Sequence, residues 1–262
     1  MFLKNILLGC ILFTSLCSAQ QSKNWNGKKC AVVLTYDDAL NIHLDKVIPM
    51  LDKYKLKGTF YLIGGSPNVA NRIGDWRRVA KNGHELGNHT FSHPCDASLP
   101  GREWVSPETD LSKYSIDRAV NEIKTTNGLL YAIDGKKERT FAFPCGDLKI
   151  GNTYFYDLVK DDFVGARGVN STYVQMKDVN LNDITAFGQS DTTAEQMISQ
   201  IEEAERQGSF IVLLFHGVGG EHPLNISETE HSKLLQYLSD RENDIWVATM
   251  VDVAKYIKEK QK

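Results

Sequence analysis

The chain has 262 residues, 30 of them basic and 33 acidic, for a formal charge of −3. With 42% hydrophobic and 24% charged residues it has an ordinary globular composition, outside the disordered, collagenous and repeat-dominated classes. No cationic excess is available to neutralise a phosphate backbone or an anionic bilayer, so nucleic acid is not an expected partner.

Lys4, an apolar run over residues 6–16 and the small residues of Cys17-Ser18-Ala19 before Gln20 read as a secretory signal cleaved near Ala19. The expectation is export, to a periplasm or the medium, of one domain spanning 20–262. Lipid attachment at Cys17 is disfavoured by the bulky Leu16 before it. The run is too short to span a bilayer, and no later apolar stretch is longer than about 210–215, so no membrane span is expected. Cleavage leaves Cys30, Cys95 and Cys145, an odd number, so at most one pair can form in an oxidising compartment.

Short runs rich in Val, Ile, Leu, Phe or Thr follow at 31–35, 58–63, 84–88, 140–143, 163–166, 209–215 and 245–249, and read as buried strands. Leu44, Val47, Ile48, Leu51 and Tyr54 recur at helical spacing between the first two, with Pro49 breaking one hydrogen bond or marking a helix start. Ile116, Ala119, Val120 and Ile123 repeat the pattern, and 94–115 has no period, as expected of a surface excursion. Thr192 with Glu195, and Ser227 with Glu230, look like capping boxes opening two later helices. Strand then helix, about seven times, implies a mostly parallel α/β sheet, open or closed, with its chemistry at the carboxyl ends of the strands.

Those ends carry Asp37-Asp38, His89 and His93, Pro144-Cys145-Gly146, and His216-Gly217. Two adjacent carboxylates at the end of an apolar strand oppose joint ionisation unless a cation sits beside them. His89 and His93, four apart, meet on one helical turn or across a tight loop, and with one carboxylate complete a three-ligand site with a position open for water. His216 suits a general acid. His43, His84, His222 and His231 receive no role.

The segments Thr35-Tyr36-Asp37-Asp38, His89-Thr90-Phe91-Ser92-His93, Phe143-Pro144-Cys145-Gly146, Asp191 and Leu214-Phe215-His216 resemble, in order and spacing, the five motifs of the polysaccharide deacetylases, the NodB-like carbohydrate esterase family 4. The resemblance runs from about residue 30 to 255 and implies a distorted (β/α) barrel of seven or eight parallel strands. It also implies one divalent metal ion, Zn²⁺ or in its place Co²⁺ or Ni²⁺, held by Asp38, His89 and His93. Asp37 would be the general base, His216 the general acid and Asp191 the carboxylate that orients it. The Cys145 N–H would be the oxyanion donor and Leu214 part of the acetyl pocket. Two positions depart from the family pattern: Ala142 stands where an Arg usually pairs with the base, so that either Arg139 or Arg167 supplies that charge from another strand or Asp37 works without it at a higher pKa, and Thr192 stands where a Trp usually walls the cleft. If both motifs border one metal, Cys95 and Cys145 lie close enough for a disulfide.

The expected substrate is an acetylated oligo- or polysaccharide, with an N-acetylglucosamine polymer slightly favoured. The alternatives are an O-acetyl esterase of the acetylxylan type, or a non-catalytic glycan-binding protein on the same fold.

Overall fold

The computed structural model describes residues 24–262; the expected signal segment and Cys17 lie outside them. The first strand, β1 (Cys30–Asp37), is buried along its whole length. Its two faces enter different cores. Cys30, Val32, Leu34 and Tyr36 pack with the apolar sides of the helices, whereas Ala31 and Val33 pack with Phe210, Val212 and Leu214. The period of two puts Asp37 on the second face, inside the curled sheet.

A π-helical turn (His43–Val47) runs straight into α1 (Ile48–Lys53), so Pro49 lies inside one continuous helical run, where its missing N–H leaves one helical hydrogen bond unmade. Then come β2 (Thr59–Leu62), α2 (Pro67–Asn71), α3 (Ile73–Lys81), β3 (Glu85–Asn88), α4 (Ile116–Asp134) and β4 (Thr140–Ala142). The chain continues through β5 (Gly165–Arg167), β6 (Phe187–Gly188), α5 (Ala194–Arg206), β7 (Phe210–Phe215), α6 (Glu228–Asp240), β8 (Ile245–Val247) and α7 (Met250–Lys260).

These eight strands form one parallel sheet in the order β5-β4-β3-β2-β1-β7-β6, with β8 beside the lower half of β1. β2 takes the upper half of that same edge, Thr35 to Asp37. The sheet curls until its ends meet at a single parallel bridge, Arg167 to Ile184, just before β6. The expected distorted barrel of parallel strands is therefore present, and the shared edge of β1 is one source of its distortion. Gly87 is required inside it, because a Cβ there would lie 2.4 Å from the Tyr61 ring.

Several expected boundaries shift by a residue or two; the strand expected at 245–249, for one, ends at Val247. The strand expected at 163–166 is β5, Gly165–Arg167. The capping box of α5 is Thr193 with Gln196 rather than Thr192 with Glu195, and Ser227 caps α6 without the expected box, because the Glu230 carboxylate accepts from the Ala194 N–H instead. β6 gave no sequence signal; it is two residues long.

Candidate active site

The end of β1 turns sharply: Asp38 (φ 78°) and Ala39 (φ 54°) are left-handed, a conformation that L-residues adopt at a cost. The turn aims both Asp37 and Asp38 into the mouth of the barrel. After β3, Thr90 (φ 62°) and His93 (φ 54°) bend the chain back, with the Thr90 hydroxyl accepting from the His93 N–H at 3.0 Å. His89 and His93 thus meet across a tight loop, not along a helix, with ring centroids 4.7 Å apart.

Asp38 Oδ1 lies 3.5 Å from Nε2 of His89 and 3.5 Å from Nε2 of His93, and this buried oxygen has no hydrogen-bond partner. Two ligand atoms about 2.1 Å from a tetrahedral ion are roughly 3.4 Å apart, so the spacing fits a small divalent cation. The tautomer fits as well. Ala142 O accepts from Nδ1 of His89 at 2.9 Å, which leaves Nε2 as the free lone pair, and burial pushes this imidazole down to about 4 against the pull of Asp37.

Asp37 is held differently. Arg167, fully buried on β5, donates from Nη2 to Asp37 Oδ2 at 2.5 Å, while Asp37 Oδ1 is buried with no partner. Burial raises this carboxyl, but Arg167, His89 and His216 outweigh it and hold the group below its ordinary value. Of the two arginines offered for this charge, Arg139 is taken elsewhere, donating to Asp134 and to Leu86 O. Ala142 and Arg167 are register partners on β4 and β5, so the guanidinium comes from one strand further round the barrel than the usual motif position.

His216 lies just past β7, and its Nε2 is 4.0 Å from Asp38 Oδ2. Burial lowers its basicity, opposed by the charges of Asp37 and Asp38. His43, given no role from sequence, donates from Nε2 to the His216 carbonyl at 2.8 Å. His222, likewise given none, stacks on His216 with centroids 4.5 Å apart and 13° between planes, its Nε2 3.7 Å from Asp38 Oδ2. Glu221 puts it there by accepting from the Ile42 N–H at 2.5 Å, which ties its loop to the Asp38 turn. His222 Nδ1 lies 3.0 Å from the Leu224 nitrogen and 3.4 Å from its carbonyl oxygen, and the ligand atoms of Asp38, His216 and His222 lie close enough together to hold a cation, a second such group sharing Asp38.

Asp191 is not brought to His216. It is exposed, in a left-handed turn (φ 52°) whose N–H donates to Asn225 O at 2.8 Å, and the charges acting on His216 are those of Asp37, Asp38, His222 and Arg167. Leu214 does line the pocket. Cys145 (φ 55°) lies at its edge and is bridged to Cys95, with 5.8 Å between Cα atoms, while Cys30 stays free and buried. The hydrogen bonds of the Cys145 turn run from Gly146 N–H to Phe143 O and from Asp147 N–H to Pro144 O, so neither uses the Cys145 N–H. The cavity over these groups measures about 480 Å³.

Residues 24–161, just over half of the chain, match the sequence model of the family described as polysaccharide deacetylase. The chain belongs to that family. Among its relatives, a peptidoglycan-N-acetylglucosamine deacetylase of Bacillus cereus is 29% identical over 125 residues, 46% of this chain and 38% of that protein. A peptidoglycan-N-acetylmuramic acid deacetylase of Bacillus subtilis is 28% identical over 124 residues, 45% of this chain and 39% of that protein. The chain therefore spans well under half the length of these curated relatives. The solved structure of a Mycobacterium smegmatis protein described as a polysaccharide deacetylase superposes with TM-score 0.66 at 14% identity, over 90% of this chain and 92% of that one, a likeness of fold. The polysaccharide deacetylase match ends before β5 and β7, yet those strands supply Arg167 and lead to His216 in the same pocket.

Proposed function

We propose that this polysaccharide deacetylase hydrolyses the acetyl group of an N-acetylated glycan with the help of one divalent ion, zinc by preference, held by Asp38, His89 and His93. The observation that carries the reading is that two buried oxygens of residues lining the same cavity, Asp37 Oδ1 and Asp38 Oδ1, have no hydrogen-bond partner. Unpaired buried carboxylate oxygens are costly, so each awaits a partner: a cation at Asp38 and a proton donor at Asp37.

When bound, the ion would supply Lewis acidity and a water of lowered pKa. Asp37 Oδ1 then takes the proton of the attacking water, while Arg167 keeps Oδ2 and the orientation of the carboxylate fixed. The Cys145 N–H faces the negative charge that develops on the acetyl oxygen, and Leu214 packs near the methyl. His216 protonates the leaving amine, with its ring held flat by His222 and its backbone by His43. Asp191 does not take part in this scheme.

Two relatives are named for N-acetyl sugars of peptidoglycan, which supports an N-acetyl substrate outside the cytoplasm. Residues 20–262 would be the exported catalytic unit, released by cleavage near Ala19. No helix among the described residues is long and apolar enough to cross a membrane. The test is acetate release from N-acetylglucosamine oligomers and from acetylated xylan, with free amines counted in parallel. Acetate matched by new amines supports the reading. Release from xylan alone makes it an ester hydrolase, and release from neither leaves a glycan-binding protein.

A further inference from the structure

His222 is carried to the pocket by a loop that is closed at both ends. Gly217–Val218 pairs with Asn225–Ile226, and between them the chain turns through three left-handed residues, Gly219 (φ 77°), Gly220 (φ 135°) and Glu221 (φ 62°). For Glu221 that conformation has a steric cost. The Gly220 N–H donates to Asn225 Oδ1 at 2.8 Å, while Asn41 Nδ2 and the Ile42 N–H donate to the Glu221 carboxylate at 3.2 and 2.5 Å. The loop is thus tied to its own strand pair on one side and to the Asp38 turn on the other, and residue 222 comes back over residue 216.

That placement gathers three ligand atoms. Asp38 Oδ2 lies 4.0 Å from Nε2 of His216 and 3.7 Å from Nε2 of His222, and the ligand atoms of the three residues lie within 4.8 Å of one another. Ligand atoms on a tetrahedral zinc ion are roughly 3.4 Å apart, so an inward tilt of the two stacked rings brings these to coordination distance. The oxygen turned toward His89 and His93 is the other one, Oδ1. One carboxylate therefore offers an oxygen to each of two ions, as in two-metal sites whose ions stand about 3.5–4 Å apart. To bind an ion, His222 needs its proton on Nδ1, where Leu224 O at 3.4 Å accepts it; with no ion, the Leu224 N–H at 3.0 Å favours the other tautomer.

We propose that Asp38 Oδ2, His216 and His222 form a second, weaker site for a divalent ion of the zinc class, and that filling it switches the enzyme off. The inference rests on the metal-dependent deacetylase reading above. The group of Asp38, His89 and His93 fills first, because its spacings are already 3.5 Å and its carboxylate oxygen is buried without a partner. The second group needs a ring tilt and a change of tautomer. An ion there takes the Nε2 lone pair of His216, the nitrogen that faces Asp38, and the proton it displaces goes to solvent. Deacetylation then keeps its water and its base but has no acid for the leaving amine. Imidazole donors select zinc, cobalt or nickel, whereas magnesium prefers oxygen ligands and its own waters.

The experiment titrates metal-stripped protein with Zn²⁺ by calorimetry and follows acetate release from the N-acetylglucosamine hexamer over the same titration. It is run on the wild type, on His222→Phe, which keeps a ring against His216, and on His222→Ala, which removes it. The wild type should take two ions, the second about tenfold or more weakly. Its activity should rise to one equivalent and then fall roughly 10²-fold as the second site fills, the scale of a lost general acid. Each variant should take one ion, and its rate in excess Zn²⁺ should stay within about threefold of its own rate at one equivalent, with no acid captured. Excess Mg²⁺ should leave the zinc-loaded wild type uninhibited. A wild type that binds one ion overturns the second site and leaves the deacetylase reading standing. So does a second ion that leaves activity unchanged or raises it, or one that both variants still bind. Folded wild type that binds no ion overturns the metal reading and this inference with it.

Discussion

Asp37 and Arg167 form a buried pair in which each group depends on the other. Removing one partner of such a pair leaves an uncompensated buried charge, typically about 3–5 kcal/mol. Arg167→Met should therefore lower the melting temperature and also raise the Asp37 pKa, since the guanidinium is the chief influence holding it down. A carboxyl depressed in the folded state adds stability above its ordinary range, and that contribution is lost as the pH falls through its folded pKa. In Arg167→Met the contribution disappears, and the acid limb of kcat/KM moves to higher pH; an unmoved limb would detach Arg167 from the base. Asp37→Asn should abolish turnover with the metal content unchanged, whereas His216→Ala should cost roughly 10²-fold in kcat, checked by steady-state kinetics beside elemental analysis. Asp37, Asp38, His89, His93 and His216 were legible in the sequence because each sits in a short motif at a strand end. Arg167 was legible only as one of two candidates, because its reach to Asp37 depends on the register of β4 against β5, which no local pattern encodes. His222 was illegible, since a contact between Glu221 and Ile42, 179 residues apart, sets its place.

At the level of elements, two fastenings hold the ends of the barrel. At the mouth, the Cys95–Cys145 bridge closes a span of 50 residues between the loop of His89 and His93 and the Cys145 turn. Chain-entropy reasoning makes such a bridge worth about 4 kcal/mol at most. Thiol titration of the unfolded protein from residue 20 onward should find one reactive thiol before reduction and three after. Three throughout would show the bridge absent. Peptide mapping should join Cys95 to Cys145 and leave Cys30, whose thiol burial pushes up to about 12, unmodified in the folded state. At the opposite end, Glu85 at the start of β3 accepts from the Thr140 N–H at 2.8 Å and hydroxyl at 2.7 Å, from the Thr59 hydroxyl at 2.9 Å and from the Val251 N–H at 2.8 Å. This one carboxylate joins β2, β3, β4 and the first turn of α7. Glu85→Ala orphans the buried Thr140 N–H, at about 1–3 kcal/mol, and the half-buried Val251 N–H at less, so thermal unfolding should fall by several degrees while metal uptake by the pocket, at the other end of the strands, is unchanged. The strands' existence was readable from their apolar runs. The closing of the ring was not, because β6 is two residues held by partners rather than by propensity.

Acid stability follows from histidines the whole fold buries as neutral rings. Burial pushes His84 down to about 4 and His231 down to about 3, against an ordinary value near 6.5. Each therefore binds a proton when the chain unfolds below pH 6.5. Stability is fully present above that pH and declines as the pH falls toward 4, by up to about 1.4 kcal/mol per pH unit for each ring. Urea midpoints should drop between pH 7 and 4.5, and less steeply in His84→Asn, which retains an acceptor for the Gly58 N–H that the ring now serves. The groups at the barrel mouth act as one assembly only if acetate is released from N-acetylglucosamine oligomers in a metal-dependent way. That release should be measured on the wild type, on chelated protein, on chelated protein resupplied with Zn²⁺ or Co²⁺, and on Asp38→Ala. Acetate is expected from the first, with loss on chelation, recovery on resupply and none from Asp38→Ala. Folded, metal-supplied wild type that releases no acetate, or chelated protein and Asp38→Ala that release it at the wild-type rate, would contradict such an assembly.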